Sequence, residues 1–536
     1  MGTLPSPREA RQFLNKFSSP DLASPLPDPA TASTAEAPPA LSVSTAAIQQ
    51  SATSPAAFVD TLLWPTDHVA LIKLEGPFEK ENLAAIANTL VQLQRLGLMS
   101  VIMLDNQSWW QSQGPPLDES LGPLFEQQSA ETRQRMMKDM ADVVEDIEKA
   151  GGSARPIYEG VFEGLADHPT GRIPGQTTSE EISISPGLRP LQSCLKLQQI
   201  PVMIPMATTA QCHRIPVQSN NALVALAKYM GKSSKGASHG PLVPMRLIVI
   251  NTTGGIPLTR ANGIQGPTHC FVNLKDEYDT IIDDLDNMHQ IPEMLARSYR
   301  SDLDMIKDSL EYLPPTCSAL ITSSPSLTLI TNLITDKPLF SSTMRGQDPK
   351  EMLATTVLRN GLDIFTFHDS LRGLDLDRLQ GLLESSFGKP LDADGFYARI
   401  QESTKTVILA GQDYMGAAIV TREGGDERGE GEERRTLVSV AYLDKFSIAP
   451  KSQGIGVADI LWKKLTDEFP DLVWRSRSDN PVNKWYFDRA DGNIRIPGTN
   501  WTVFWYGPNG LRLIRDYIQI CRDIPASFRA VHQAKK

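Results

Sequence analysis

The chain has 536 residues, 40% hydrophobic and 21% charged, with a net charge of -11. That length allows two or three domains with ordinary cores, and the acidic balance argues against a protein held on nucleic acid by phosphate contacts. No apolar run reaches the roughly 20 residues that span a bilayer, so no membrane segment is expected. Cys194, Cys212, Cys270, Cys317 and Cys521 form no CxxC pair and read as buried thiols of a reducing compartment rather than a disulfide framework. The eight histidines are scattered, with no metal-ligand spacing, so no metal site is expected.

Residues 1–57 are rich in Pro, Ala, Ser and Thr without periodicity and read as a disordered tail. Arg8, Arg11 and Lys16 lie in one amphipathic piece, but Glu9 interrupts it and it makes a poor organellar presequence. From Phe58 the pattern changes. VALIKLEG reads as a strand, ENLAAIANTLVQLQRLG as a helix stopped at Gly97, and LMSVIMLD as a second strand. A helix follows over about 131–151. IPVMIPMA, NNALVALAKYMG and MRLIVINTTGGIPL then repeat the strand–helix–strand alternation of an α/β domain with a largely parallel sheet. Further helix runs from Leu274 and breaks at Pro292, and SALITSS returns to strand. A second boundary falls between about Pro338 and Leu362. LDRLQGLLESSF and GFYARIQES read as helices, TKTVILAGQDYMGAAIVTRE as two strands, and EGGDERGEGEERR as a solvated hairpin tip.

The chemistry concentrates in Tyr442–Tyr506. LVSVAYLDKFSI is an apolar, aromatic strand interrupted by Pro450, and KSQGIGV follows. Gly454 and Gly456 let backbone N–H groups approach a ligand, and the helix opening at Val457 makes this turn an anion site. A turn that merely packs a helix onto a sheet reads the same way. In LVWRSRS, Arg475 and Arg477 are two residues apart and share one face of a strand, with Trp474 and Ser476 on the other. Two carboxylates of one ligand would answer both guanidiniums; an exposed ion-pair ladder with protein carboxylates is the alternative. Asn480-Pro481 marks a turn. Tyr486, set between Trp485 and Phe487, is a phenol protonated at neutral pH and fit to protonate a departing thiolate, or else a core tyrosine. Lys389 and Lys445 are further cationic candidates, each equally compatible with a solvated surface charge.

YLDKF, QGIG, VWRSR, NPVNKWYF and WTVFWYG, in this order and spacing, resemble the N-acetylglutamate synthase family, in its fungal and animal form. SFGK at 386–389 fits the start of the same domain. The resemblance implies a C-terminal GNAT acetyltransferase domain over 362–529 and, more loosely, an amino-acid-kinase-like regulatory domain over 58–353. It implies acetyl-CoA as co-substrate, with no permanently bound cofactor, L-glutamate as acceptor and L-arginine as effector. A homo-oligomer in the mitochondrial matrix is expected on the same ground.

Carried over residue by residue, Lys389, Lys445, Arg475, Arg477 and Asn480 take glutamate. Phe446, Ile448, Lys451, Gln453, Gly454, Ile455, Gly456 and Val457 take acetyl-CoA, and Tyr486 is the general acid. Lys451 stands where the fold's usual turn has Gln or Arg. Active kinases of the upstream fold use a Lys-x-Gly-Gly turn; here Lys73-Leu74-Glu75-Gly76 lacks one glycine and adds a carboxylate, so phosphoryl transfer from ATP is not expected. The second reading is a regulatory or scaffold subunit in complex with acetylglutamate kinase. A third, a protein N-acetyltransferase, would call for an acidic or open peptide groove instead of clustered cations.

Overall fold

The computed structural model describes residues 68–529 except 78–79, 111–121, 165–178, 210–211, 234–241, 260–264, 270, 289–290, 324–354, 426, 429–434, 437 and 454. The predicted tail, Cys270 and Gly454 therefore lie outside the described residues. Contacts divide the chain into two compact units, one formed by Met1–Thr252 with Ser324–Lys337 and the other by Thr253–Ser323 with Pro338–Lys536.

The first unit is built in the order β1 (His68–Glu75), α1 (Lys80–Arg95), β2 (Leu98–Asp105), α2 (Gly122–Lys149), β3 (Ala154–Ile157), β4 (Phe162–Gly164), β5 (Ile182–Ile184), α3 (Arg189–Lys196), β6 (Ile200–Met203), β7 (Met206–Thr208), β8 (Arg214–Pro216), α4 (Ser219–Ser233) and β9 (Pro244–Asn251). Five of the strands pair in parallel, in the order β9-β1-β2-β6-β3. Val69 to Leu74 are buried without alternation, as a central strand covered on both faces requires. Helix α1 ends as predicted, with Gly97 left-handed at φ 91°. Helix α2 begins well before the predicted stretch; its Met136, Met140, Val143 and Ile147 form one buried stripe. IPVMIPMA is two short strands rather than one, and β5-β4-β7-β8 make a second, four-stranded sheet.

At the carboxyl end of β1 the Lys73 ammonium is buried against Glu75 (2.5 Å) and Asp105 (3.0 Å). Ser219, at the start of α4, donates to the same Asp105 carboxylate at 3.0 Å. The lysine of the Lys73–Gly76 turn thus has its charge answered by protein carboxylates.

The second unit opens with the hairpin β10 (Pro257–Thr259) and β11 (Gln265–Thr268), then β12 (Phe271–Asn273), α5 (Leu274–Asn287), α6 (Glu293–Tyr312), β13 (Ser318–Ser323) and β14 (Thr355–Arg359). Pro292 separates α5 from α6, as its missing N–H predicts. There follow β15 (Ile364–His368), α7 (Leu376–Phe387), α8 (Ala393–Ser403), β16 (Thr404–Ala410), β17 (Gly416–Glu423), the two-residue pair β18 (Glu427–Arg428) and β19 (Arg435–Thr436), β20 (Val440–Ile448), α9 (Val457–Glu468), β21 (Leu472–Arg477), α10 (Asn483–Phe487), β22 (Gly492–Arg495), β23 (Trp501–Tyr506) and α11 (Ile514–Asp523). Seven of these strands form a sheet in the order β15-β16-β17-β20-β21-β23-β22. One face packs on α9, through Val457, Leu461 and Leu465. The other is covered by α7 and α8 at one end and by α11 at the other.

Among the described residues no helix is long and apolar enough to cross a membrane, and no group of His, Cys, Asp and Glu is placed to hold a metal. Four described cysteines are free thiols. Cys194, Cys317 and Cys521 are buried as expected, but Cys212 is exposed; it is left-handed at φ 65° and its N–H donates to the Thr209 carbonyl.

Candidate active site

The seven-stranded sheet is split at its centre. Strand β20 pairs with β17 along its whole length, yet meets β21 at one position only, Tyr442 with Val473. Beyond that point the two parallel strands diverge. The edge of β20 facing β21 therefore offers backbone N–H and C=O groups to a ligand lying in the wedge. Both arms are rigid: β21 is paired with β23 from Leu472 to Arg477, and Trp474 stacks on Phe504 with centroids 5.6 Å apart.

The cations gather on one face of the wedge. From β20, Lys445 is 7% exposed; its ammonium donates to the Asp444 carboxylate and, at 3.0 Å, to Ser527 Oγ, and lies 4.7 Å from the Phe396 ring centre. Burial pushes the Lys445 pKa down, and Asp444 opposes that. Burial also acts to raise the Asp444 pKa, but Lys445 and Arg399 outweigh it and hold the carboxyl below its usual range. Asp444 is the extra residue where the β17–β20 register shifts, which places its carboxylate beside both cations.

From β21, Arg475 stacks over Trp501 at 4.3 Å and donates to two main-chain carbonyls, those of Cys521 and Pro525, the latter at 3.1 Å. Two positions on, Arg477 forms a bidentate pair with Asp479, both bonds 3.0 Å, and that hydrogen-bonded pair lowers the Asp479 pKa to about 2. The ion-pair alternative is thus realised at Arg477 and not at Arg475, whose partners are neutral. Lys389 is half-buried and directly precedes Pro390, whose carbonyl accepts from the Arg529 N–H at 3.0 Å. Asn480 is turned to its own loop: it donates to Ser476 Oγ at 2.9 Å and accepts from the Val482 N–H at 3.1 Å.

The opposite face is aromatic. Phe446 stacks on Trp485 at 5.2 Å, and Tyr486 packs among Trp474, Trp485 and Phe504, each 5.5–5.6 Å away. Tyr486 is 8% exposed, and burial drives its pKa up from the ordinary value, so the phenol keeps its proton at neutral pH. Ile448, Ile455 and Val457 join the same apolar cluster.

The glycine turn lies at the start of α9. Gly456 is left-handed at φ 88°, and no side chain caps the first turn of the helix. A Cβ at Gly456 would meet Arg359 Cδ at 2.7 Å, so the buried Arg359 side chain closes over the turn. Lys451 and Gln453 are exposed around it. Sequence reasoning did not single out Arg359, Asp444 or Ser527. Their partners stand far along the chain or across a bulge, and no local pattern marks them.

Residues 366–524 match the family model described as the N-acetyltransferase (NAT) of N-acetylglutamate synthase. The mitochondrial amino-acid acetyltransferase of Laccaria bicolor is 36% identical over 487 residues, covering 84% of this chain and 80% of the relative. That of Coprinopsis cinerea is 34% identical over 519 residues, covering 88% and 77%. Among solved structures, N-acetylglutamate synthase from Neisseria gonorrhoeae, complexed with coenzyme A and N-acetyl-glutamate, aligns over 84% of this chain and 98% of its own, at 12% identity and a TM-score of 0.48.

Proposed function

The chain belongs to the mitochondrial amino-acid acetyltransferase family, and from that premise we propose how its split sheet moves an acetyl group from acetyl-CoA to the amine of L-glutamate, giving N-acetyl-L-glutamate and CoA. Acetyl-CoA lies in the wedge along β20, beside Phe446 and Ile448. Its pyrophosphate sits at the turn from Lys451 to Val457, where first-turn N–H groups and the helix dipole favour negative charge. Glutamate enters from the cationic face. Arg475, Arg477, Lys445 and Lys389 take its two carboxylates, with Asn480 at the margin.

The neutral amine attacks the thioester carbon directly. As the C–N bond forms and the C–S bond breaks, the amine loses one proton to solvent and the thiolate gains one from Tyr486, whose phenolate is reprotonated from solvent. Backbone N–H groups of the open β20 edge support the developing oxyanion. The observation that carries this reading is the split itself: a single pairing position, with cations on one face and a buried, protonated phenol on the other. An acceptor panel tests it. L-Glutamate is expected to outpace L-glutamine by about ten-fold or more in kcat/KM, since one carboxylate then goes unmatched; equal rates would remove the dicarboxylate clamp.

The proposed division of labour is a regulatory kinase-like domain over 58–353 and a catalytic domain over 362–529. L-Arginine is the proposed effector of the former, within a homo-oligomer of the mitochondrial matrix. A complex with acetylglutamate kinase belongs to the scaffold reading, which no specific observation favours.

A further inference from the structure

The last described residues cross the cationic face of the wedge. After α11 the chain runs from Ile524 to Arg529 and ties the two arms together. On the β21 side, the Pro525 carbonyl accepts from the Arg475 guanidinium at 3.1 Å, beside the Cys521 carbonyl of the last turn of α11. On the β20 side, Ser527 Oγ accepts from the Lys445 ammonium at 3.0 Å. The segment is itself fixed. The Asp392 N–H donates to the Ser527 carbonyl at 2.9 Å, the Arg529 N–H to the Pro390 carbonyl at 3.0 Å, and Leu391 and Phe528 form an antiparallel bridge. The Phe528 ring lies 4.7 Å from that of Phe387.

The chemistry of these contacts is distinctive. The oxygens that this segment and the end of α11 offer to Arg475 and Lys445 are neutral, two carbonyls and a hydroxyl, while the charged partner of Lys445 is Asp444 on its own strand. A carboxylate in place of the two carbonyls would orient Arg475 equally well but would cancel the charge it holds for a substrate anion. A guanidinium has five N–H donors, so Arg475 keeps donors after its two bonds are made, whereas the Lys445 ammonium is held by Ser527 and by the Asp444 carboxylate and carbonyl. Lys445 and Arg475 stand on diverging strands that share one pairing position, so the sheet alone does not hold their separation. The crossing segment does.

We infer that Pro525–Arg529 is a positioning strap for the acceptor site: with Ser527 as its key side chain, it fixes the spacing of Lys445 and Arg475 and so the acceptor chain length that the site accepts. The inference rests on the acetyltransferase reading above. Ser527 does not touch the reacting atoms; it acts through Lys445.

Steady-state kinetics of the full chain test it, with wild type, Ser527→Ala, Ser527→Thr and Phe528→Ala assayed on L-glutamate and L-aspartate. Ser527→Ala is expected to raise the glutamate KM by about ten-fold, to leave the acetyl-CoA KM within about two-fold, and to narrow the preference for glutamate over the shorter aspartate. Ser527→Thr keeps the hydroxyl and should restore wild-type values. Phe528→Ala, which removes the ring that packs on Phe387 and lies 5.8 Å from the Lys445 ammonium, loosens the strap and should shift glutamate KM in the same direction. An unchanged glutamate KM in Ser527→Ala overturns the inference. So does a lowered one, the mark of an occluding gate, or an equal rise in both KM values, the mark of general damage. If wild type forms no N-acetylglutamate, the underlying reading fails; if wild type is active and these variants behave as it does, only the strap fails.

Discussion

At the scale of single residues, the site separates charge from proton. The charge of Arg475 has no carboxylate partner in the protein, since its bonds go to carbonyls, while Tyr486 retains its proton because its ring is enclosed by aromatic carbon. Removing each has a different kinetic signature. Arg475→Ala should raise the glutamate KM by about 10–100-fold, the equivalent of one to two charge-assisted hydrogen bonds, with the acetyl-CoA KM unchanged; a variant with wild-type KM and kcat would exclude the clamp. Tyr486→Phe keeps the ring packing and removes only the donor. Its kcat should fall by about 10²–10⁴ with KM values little changed, and an unaltered kcat in the folded variant would exclude the general-acid role. The two-residue spacing of Arg475 and Arg477 made their shared face legible in the sequence. That Arg477 would be engaged by Asp479 and Asn480 by Ser476 was not, because both bonds depend on how the loop after β21 turns back.

At the scale of elements, α9 links the turn at Gly456 to the strands that precede it. Lys463, midway along the helix, donates to the Phe271 carbonyl at 2.6 Å and pairs with Glu277 of α5, and Arg359 of β14 covers Gly456. Gly456→Ala forces a side chain into a left-handed conformation and against a buried arginine. It should cost about 1–2 kcal/mol of stability or more and raise the acetyl-CoA KM; urea melts and kinetics matching wild type would mean that the turn tolerates a Cβ.

His269 lies near the same junction, and burial, followed by the charge of Lys463, pushes its pKa down to about 4. Unfolded, the imidazole takes up its proton near pH ~6.5. Between the two values the unfolded chain binds more protons, so stability falls as pH drops from 6.5 towards 4, by up to about 3 kcal/mol from this residue. His269→Gln should lose less stability than wild type between pH 7 and 4.5; parallel losses would show that His269 titrates normally.

Elements with strong periodicity were readable: the apolar runs of β1 and β2, the α9 stripe and the break at Pro292. Others take their form from tertiary contacts. Strand β15 is a sheet edge with no fully buried residue, and the three-residue strands β4, β5, β7 and β8 exist only through pairing. The strap after α11 carries no signal at all, since Ser527 meets Lys445 across 82 residues of sequence.

At the scale of the whole molecule, a parallel sheet precedes the sheet that matches the N-acetyltransferase of N-acetylglutamate synthase. In the first, Lys73 is held at the end of β1 by Glu75 and Asp105. The second has an open wedge, a glycine turn and unneutralised Arg475. The missing glycine after Lys73 was visible in the sequence; the second carboxylate, from Asp105 on the neighbouring strand, followed only from the pairing of β1 with β2. The chemistry proposed for the chain accordingly lies in its C-terminal sheet. The most direct test is to incubate the purified full chain with acetyl-CoA and isotopically labelled L-glutamate, and to follow both products by mass spectrometry. Labelled N-acetyl-L-glutamate and free CoA should appear in equal amounts. CoA released without N-acetylglutamate, or neither product from folded protein, would contradict the account.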